Sequence, residues 1–279
     1  VGGEEEAELL EVAAGKRHHG LDRDVEDDGG LGGLGLRAAA LLVGRGAQRV
    51  LLSSRSGCVA RGGQGLAAQL QALAAVTSVV ACDSADARDA CALVGCAQPL
   101  TGVLHAAGVL RDRMLRSTTA DGLGAVFWPK AHGAIRVQRA MALMPLIAFC
   151  VFSSVASTFG NVGQASYAAA NAYMDSVAMS RRQCAYMASS LQIPAVGGAG
   201  MGATTFETES ADAIGAVSLD EFAAHLARRI TLSGVAVQAP LALAPSPMGH
   251  EAPCSPRRAQ VLRPHPRRRA AVGRFDVVL

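Results

Sequence analysis

Glycines stand at 29, 30, 32, 33 and 35, directly before a run of apolar and small residues that reads as a helix over 36–46. No other feature narrows the fold as much. Such a turn lets backbone N–H groups approach a pyrophosphate and lets the helix behind it pack closely on a sheet. A steady rhythm follows. Strands are predicted at 49–53, 76–82, 102–105, 147–152 and 187–193, with helices at 64–75, 84–97 and 164–182 and one or two more over 117–144. Strands alternating with helices at this spacing predict an α/β fold. It is a Rossmann-like, doubly wound parallel sheet with helices on both faces, three layers in all.

One part of that fold breaks the pattern. The strand before the glycine turn belongs at the middle of the sheet and should be apolar. The chain there reads G-L-D-R-D-V-E-D-D over 20–28. Burying several unpaired carboxylates in a central strand is prohibitive. The first strand therefore reads as degraded, by a local alteration of the sequence or as a worn, inactive copy, unless another segment supplies it. A short amphipathic helix is expected at 4–15, and another at 218–230, where Ser218 and Glu221 form a capping box. Three regions result: an N-terminal extension with the atypical strand (1–28), the α/β domain (29–238), and a Pro/Arg-rich linker or disordered tail (239–279).

Composition excludes several classes. Half of the 279 residues are apolar, 18% are charged and the net charge is only +3, so no basic face for nucleic acid is implied. The seven cysteines are scattered without a C-x-x-C pair, which argues against a metal site or a disulfide framework and for a reducing, cytoplasmic compartment. No apolar run reaches the ~18 residues of a membrane span. Without an initiating Met or signal pattern the chain reads as a segment of something longer, which leaves organelle targeting open. Lysine occurs only at 16 and 130, against 24 arginines, which singles out Lys130.

The chemistry concentrates in V-F-S-S-V-A-S-T-F-G-N-V-G-Q-A-S-Y-A-A-A-N (151–171). Ser154 ends a strand, Tyr167 opens a small-residue helix, and Asn171 lies one turn further on. A hydroxyl facing a tyrosine can polarise and protonate a carbonyl oxygen; with the glycine turn, that points to reduction by a bound nicotinamide. A free phenol has a pKa near ~10 and needs its phenolate stabilised; lowering it by ~3 units corresponds to roughly 4 kcal/mol from a nearby ammonium. In many hydride-transferring enzymes of this architecture that lysine sits four residues after the tyrosine, where this chain has Asn171. Lys130, 37 residues before Tyr167, is the candidate replacement.

For the cofactor, Gly29, Gly30, Gly32, Gly33, Leu34 and Gly35 are expected at the pyrophosphate. Ser54 and Arg55 end the next strand, where the planar donor fork of Arg55 suits a 2′-phosphate and favours NADPH over NADH. Asp83, followed by Ser84, accepts from the adenine amine or caps the following helix. The small residues of His105-Ala106-Ala107-Gly108 let the chain pass under the nicotinamide ribose, with His105 packed rather than catalytic.

The segments G-G-L-G-G-L-G-L, L-L-S-S-R-S-G, V-V-A-C-D, H-A-A-G-V-L, P-K-A-H-G-A, F-S-S-V-A and G-Q-A-S-Y-A-A-A-N-A-Y together resemble the ketoreductase domains of modular polyketide synthases. These form a branch of the short-chain dehydrogenase/reductase superfamily, and the likeness covers roughly 29–202. The resemblance implies Tyr167 as proton donor, Ser154 as second donor to the substrate carbonyl, Lys130 as the pKa-lowering and ribose-binding cation, and Asn171 as support for the lysine and a relay water. It implies reduction of a β-ketoacyl thioester on an acyl carrier protein, within a polyketide or fatty-acid synthase and beside its other domains. Leu110-Arg111-Asp112 keeps the last Asp of the B-type L-D-D marker, and Phe159 stands where A-type members carry tryptophan, so B-type stereochemistry is expected. Two other readings stay open: a catalytically impaired scaffold domain of a synthase, and a free-standing reductase of a small ketone. The family's upstream structural subdomain is absent from this chain, and I-P-A-V-G-G-A-G-M-G replaces its tryptophan-containing segment after the last strand.

Overall fold

The computed structural model describes residues 29–59, 65–142, 144–198 and 216–230, together with the strand backbones at 234–237 and 275–278. The expected helix at 4–15, the acidic stretch before the glycine turn and most of the 239–279 tail lie outside the described residues.

In chain order the elements are α1 (Gly33–Gly44), β1 (Ala47–Ser54), α2 (Leu66–Ala72), β2 (Thr77–Ala81), α3 (Ala87–Cys96) and β3 (Gly102–His105). Next come α4 (Ala120–Phe127), a π-helical turn (Trp128–His132), α5 (Gly133–Ala140), β4 (Ala148–Ser154), α6 (Ala156–Phe159) and α7 (Ala165–Gln183). The last are β5 (Ser189–Ile193), α8 (Leu219–Arg229), β6 (Gly234–Val237) and β7 (Phe275–Val278). The strands form one seven-stranded sheet, order β2-β1-β7-β3-β4-β5-β6, with every pairing parallel.

Side chains alternate across the strands, and each face of the sheet gathers its own core. Val50, Leu52, Leu104, Cys150 and Phe152 face one side, packed with Leu36, Ala39 and Leu42 of α1 and Phe222 and Leu226 of α8. Leu51, Val103, Phe149 and Val151 face the other, with Leu93 and Val94 of α3, Val137 of α5 and Met174, Val177 and Ala178 of α7. Phe152 meets Phe222 edge-on, ring centroids 5.6 Å apart. Both strand faces are covered, so β4 is buried at all seven positions and reads as a continuous apolar run. The capping box of Ser218 and Glu221 starts α8 as expected.

The place between β1 and β3, where the first strand was expected, is taken by a segment from the far end of the chain. β7 lies between β1 and β3, with Val277 opposite both Val50 and Gly102. Of the three explanations for the acidic stretch, this arrangement matches a strand supplied by another segment. It also corrects the reading of 239–279 as linker or tail for Phe275–Val278, which pair in the sheet. Smaller differences are local. The helix after the glycine turn begins at Gly33 rather than 36, so Gly33, Leu34 and Gly35 form its first turn. β6 was not expected. Of the one or two helices expected over 117–144 the structure has two, divided by the π-helical turn at Pro129, whose nitrogen carries no hydrogen for an α-helical bond.

Candidate active site

In an open parallel sheet the ligand crevice lies at the carboxyl ends of the strands, where the order of connection reverses. Here that place is the junction of β1, β7 and β3. A cleft there encloses about 410 Å³, part of it open to solvent, and its lining includes Gly29, Gly30, Ser54, Ser84, His105, Ala106 and Ala107. Ser53 and Cys82 line it too and were not anticipated.

The glycine turn is tied to the sheet by Gly30 N–H donating to Ser53 O at 2.9 Å, and closed by Gly32 N–H donating to Gly29 O at 3.1 Å. A Cβ on Gly35 would lie 2.6 Å from the carbonyl oxygens of Gly29 and Gly30, so only glycine lets the turn fold back on the helix. Gly32 caps α1 without a side-chain bond, and the first turn of α1 holds no acidic residue. Open N–H groups at a helix start whose first turn carries no carboxylate suit a pyrophosphate. The residues present therefore fit a dinucleotide.

Arg55 is exposed just beyond β1. Ser54 is buried, accepts from Gly57 N–H at 3.1 Å and shapes the turn that carries Arg55. Asp83 accepts from Ala85 N–H at 3.0 Å, and the cap of α3 is Asp86 rather than Asp83. Gly108 continues the chain beyond the small-residue lining.

The residues expected to react come from three elements. Ser154 ends β4, buried, and its Oγ accepts from Ala156 N–H at 3.2 Å, which leaves the hydroxyl proton to donate. Tyr167 lies in the first turn of α7 and is half-buried. Lys130, 3% exposed on the π-helical turn, reaches across so that its ammonium lies 5.0 Å from the Tyr167 ring centroid and donates to Phe152 O at 3.3 Å. Asn171 is fully buried and donates Nδ2–H to Tyr167 O at 2.8 Å. A carbonyl can only accept, so the amide oxygen must point the other way, and it finds no partner among the described residues. Ser153 Oγ donates to Asn171 O at 3.3 Å and ties the end of β4 to α7.

Two expected stereocontrol residues part company. Asp112 accepts from Gln164 Nε2–H at 3.1 Å, at the N-cap of the tyrosine helix. Phe159 ends α6 with 75% of its surface exposed. Gln164 and Gly133 are the residues missed; both sit inside quoted motifs, G-Q-A-S-Y and P-K-A-H-G-A, where their neighbours drew the attention.

His105 is buried, with Nε2 3.1 Å from both Pro129 O and Lys130 O. Both partners are acceptors, so Nε2 carries the hydrogen. Burial, then the Lys130 charge, lowers its pKa from 6.5 to about 4. The unfolded chain takes up this proton near pH 6.5, whereas the folded chain resists it until about pH 4. The stability from this group is thus complete above pH 6.5 and is lost as pH falls through about 4. At about 1.4 kcal/mol per pH unit the loss amounts to about 3 kcal/mol. Denaturant unfolding at pH 7 and pH 4 measures it: His105→Gln, which cannot titrate, should shrink the acid loss by about that amount.

A family model described as the KR domain matches residues 28–198. Among relatives, the chain is 43% identical over 154 residues to polyketide synthase GfsB of Streptomyces halstedii, covering 54% of this chain and 3% of that protein. It is 43% identical over 169 residues to the pikromycin synthase component PikAII of Streptomyces venezuelae, covering 58% of this chain and 4% of that one. Among solved structures, an A1-type ketoreductase superposes with a TM-score of 0.66 at 33% identity, covering 75% of this chain and 45% of that chain. The chain thus spans a small part of the synthases it matches and under half of that ketoreductase. Among the described residues no helix is long and apolar enough to cross a membrane. The chain belongs to the ketoreductase (KR) domain family of polyketide synthases, within the short-chain dehydrogenase/reductase superfamily.

Proposed function

We propose that this domain reduces a β-ketoacyl thioester on an acyl carrier protein to the β-hydroxyacyl form with NADPH. The observation that carries this reading is the buried Lys130 ammonium brought over the Tyr167 ring beside the dinucleotide cleft. When bound, the reduced nicotinamide supplies the hydride. Tyr167 gives its phenolic proton to the carbonyl oxygen as charge builds there, and Ser154 donates a second hydrogen bond to the same oxygen. Lys130 favours the phenolate left behind. The unpartnered Asn171 oxygen, a buried acceptor that costs stability unless satisfied, suits a water that returns the proton to Tyr167.

The impaired-scaffold reading rested on the acidic 22–28 segment, where an apolar first strand was expected. With β7 in that slot the glycine turn keeps its anchor on Ser53 O, which favours the catalytic reading. The B-type assignment rests on Asp112, held by Gln164 at the start of the tyrosine helix. The test is NADPH consumption by the purified chain with a carrier-bound β-ketoacyl thioester and with free small ketones. Faster turnover of the carrier-bound substrate to the 3R alcohol supports the proposal. Preference for free ketones points to a free-standing reductase, and NADPH binding without turnover to a scaffold.

Arg55 carries the cofactor preference. Charge-assisted bonds to a 2′-phosphate contribute roughly 1.5–3 kcal/mol, so Arg55→Ala should raise the NADPH dissociation constant roughly 10- to 100-fold and leave NADH nearly unchanged. Titration with both cofactors checks it.

A further inference from the structure

The lysine that serves Tyr167 arrives from another helix, on a segment with an irregular backbone. Pro129 and Lys130 lie in the π-helical turn Trp128–His132. The N–H of Gly133, which follows it, bonds to Trp128 O five residues back and Lys130 O three back, instead of Pro129 four back. Such turns are rare and frequently lie at functional sites. Against this one sits the buried His105 at the end of β3, whose Nε2–H faces the carbonyl oxygens of Pro129 and Lys130, 3.1 Å from each. The fit is close on the far side as well. A Cβ on Gly133 would lie 2.8 Å from His105 Cε1 and 2.7 Å from Ser84 Oγ, so a glycine is needed for α5 to sit against the imidazole.

We infer that His105 is a positioning residue: by donating one N–H to two consecutive carbonyls it pins the π-helical turn and so aims the Lys130 ammonium at Tyr167. The inference rests on the reductase reading for its meaning, but its geometry concerns this chain's own residues alone. Its role differs from the one the sequence suggested, a packed residue under the nicotinamide ribose. Charged groups on the elements packed around Tyr167 include Lys130, Asp112 with Arg111 and Arg113 beside it, Asp121 on α4, and Asp175, Arg181 and Arg182 on α7. Asp112 accepts from Gln164, and Asp175 accepts from Gln192 at 2.8 Å and from Ser190. Lys130 brings its ammonium over the Tyr167 ring itself, so its displacement is what the phenol should register.

The test reads the phenol directly, without cofactor or substrate. The chain has only three tyrosines, so the ultraviolet titration of the folded protein minus that of Tyr167→Phe isolates Tyr167. In His105→Leu, similar in bulk but without the donor, the Tyr167 phenol should titrate about one pH unit or more higher than in wild type. His105→Gln, whose amide N–H reaches to about the place of Nε2, should bring it back toward the wild-type pH. Should His105→Leu fail to fold by circular dichroism, Gly133→Ala, which pushes the ring off both carbonyls, is expected to raise the phenol in the same way. An unmoved Tyr167 titration in either folded variant overturns the inference, as does a rise in His105→Gln equal to that in His105→Leu. A wild-type chain that reduces no ketone would instead remove the proposed function and leave this titration standing.

Discussion

Tyr167→Phe should lose roughly 10²- to 10⁴-fold in turnover of a β-ketoacyl thioester while binding NADPH as wild type does. The magnitude is what a positioned proton donor contributes. Phenylalanine keeps the ring under the Lys130 ammonium, 5.0 Å away in the native chain, and removes only the O–H. Tyr167 is half-buried and phenylalanine keeps its ring, so the melting temperature should shift little. Steady-state kinetics and thermal unfolding of the same preparation separate the two effects. Lower turnover with an unchanged melting temperature is the expected pattern. Retained turnover would mean that the proton comes from elsewhere.

Val277→Pro should be the most damaging single change to the fold. β7 lies between β1 and β3 with ladders on both sides, and Val277 is paired across each of them. Proline removes the N–H at that position and cannot occupy a central strand without displacing a neighbour. The expected cost is about 3 kcal/mol or more, a large part of the stability of a domain this size. Because Gly29 and Gly30 rest on the adjacent end of β1, NADPH binding should fall with it. Urea unfolding and cofactor titration measure both. A variant with wild-type stability would show that Phe275–Val278 is not needed in the sheet.

The contrast between β4 and β7 explains how much of this fold the chain reveals by itself. β4 is a long apolar run flanked by helical patterns, and α7 buries Ala170, Asn171, Met174, Val177, Ala178 and Arg181 at helical spacing. Local pattern and tertiary burial agree there, so the sequence reads correctly. β7 is the four-residue F-D-V-V, beyond a stretch dominated by proline and arginine. Nothing local distinguishes it from a tail. Its partners, β1 and β3, lie about 170 to more than 220 residues earlier in the chain. Pairings of that sequence separation carry no periodic signal.

The site divides in the same way. The glycine turn, Ser154, Tyr167 and Asn171 lie in contiguous motifs whose spacing follows from a strand, a turn and a helix. Lys130 is different: its scarcity among 24 arginines marks it, but its approach to Tyr167 depends on a π-helical turn that helical periodicity over 117–144 does not announce. The W-P dipeptide at 128–129 held that signal, since proline withholds one backbone donor. Arg55 and Phe159 show the opposite limit. Both are exposed, just beyond β1 and on α6 respectively, and their proposed roles rest on what they would meet outside the chain.

The most direct test of hydride delivery to a β-carbonyl is to supply NADPH deuterated at the transferable C4 position together with a carrier-bound β-ketoacyl thioester. The account predicts deuterium on the β-carbon of the hydroxyacyl product, one for each NADPH oxidised. A folded, NADPH-binding chain that leaves no deuterium there would contradict it.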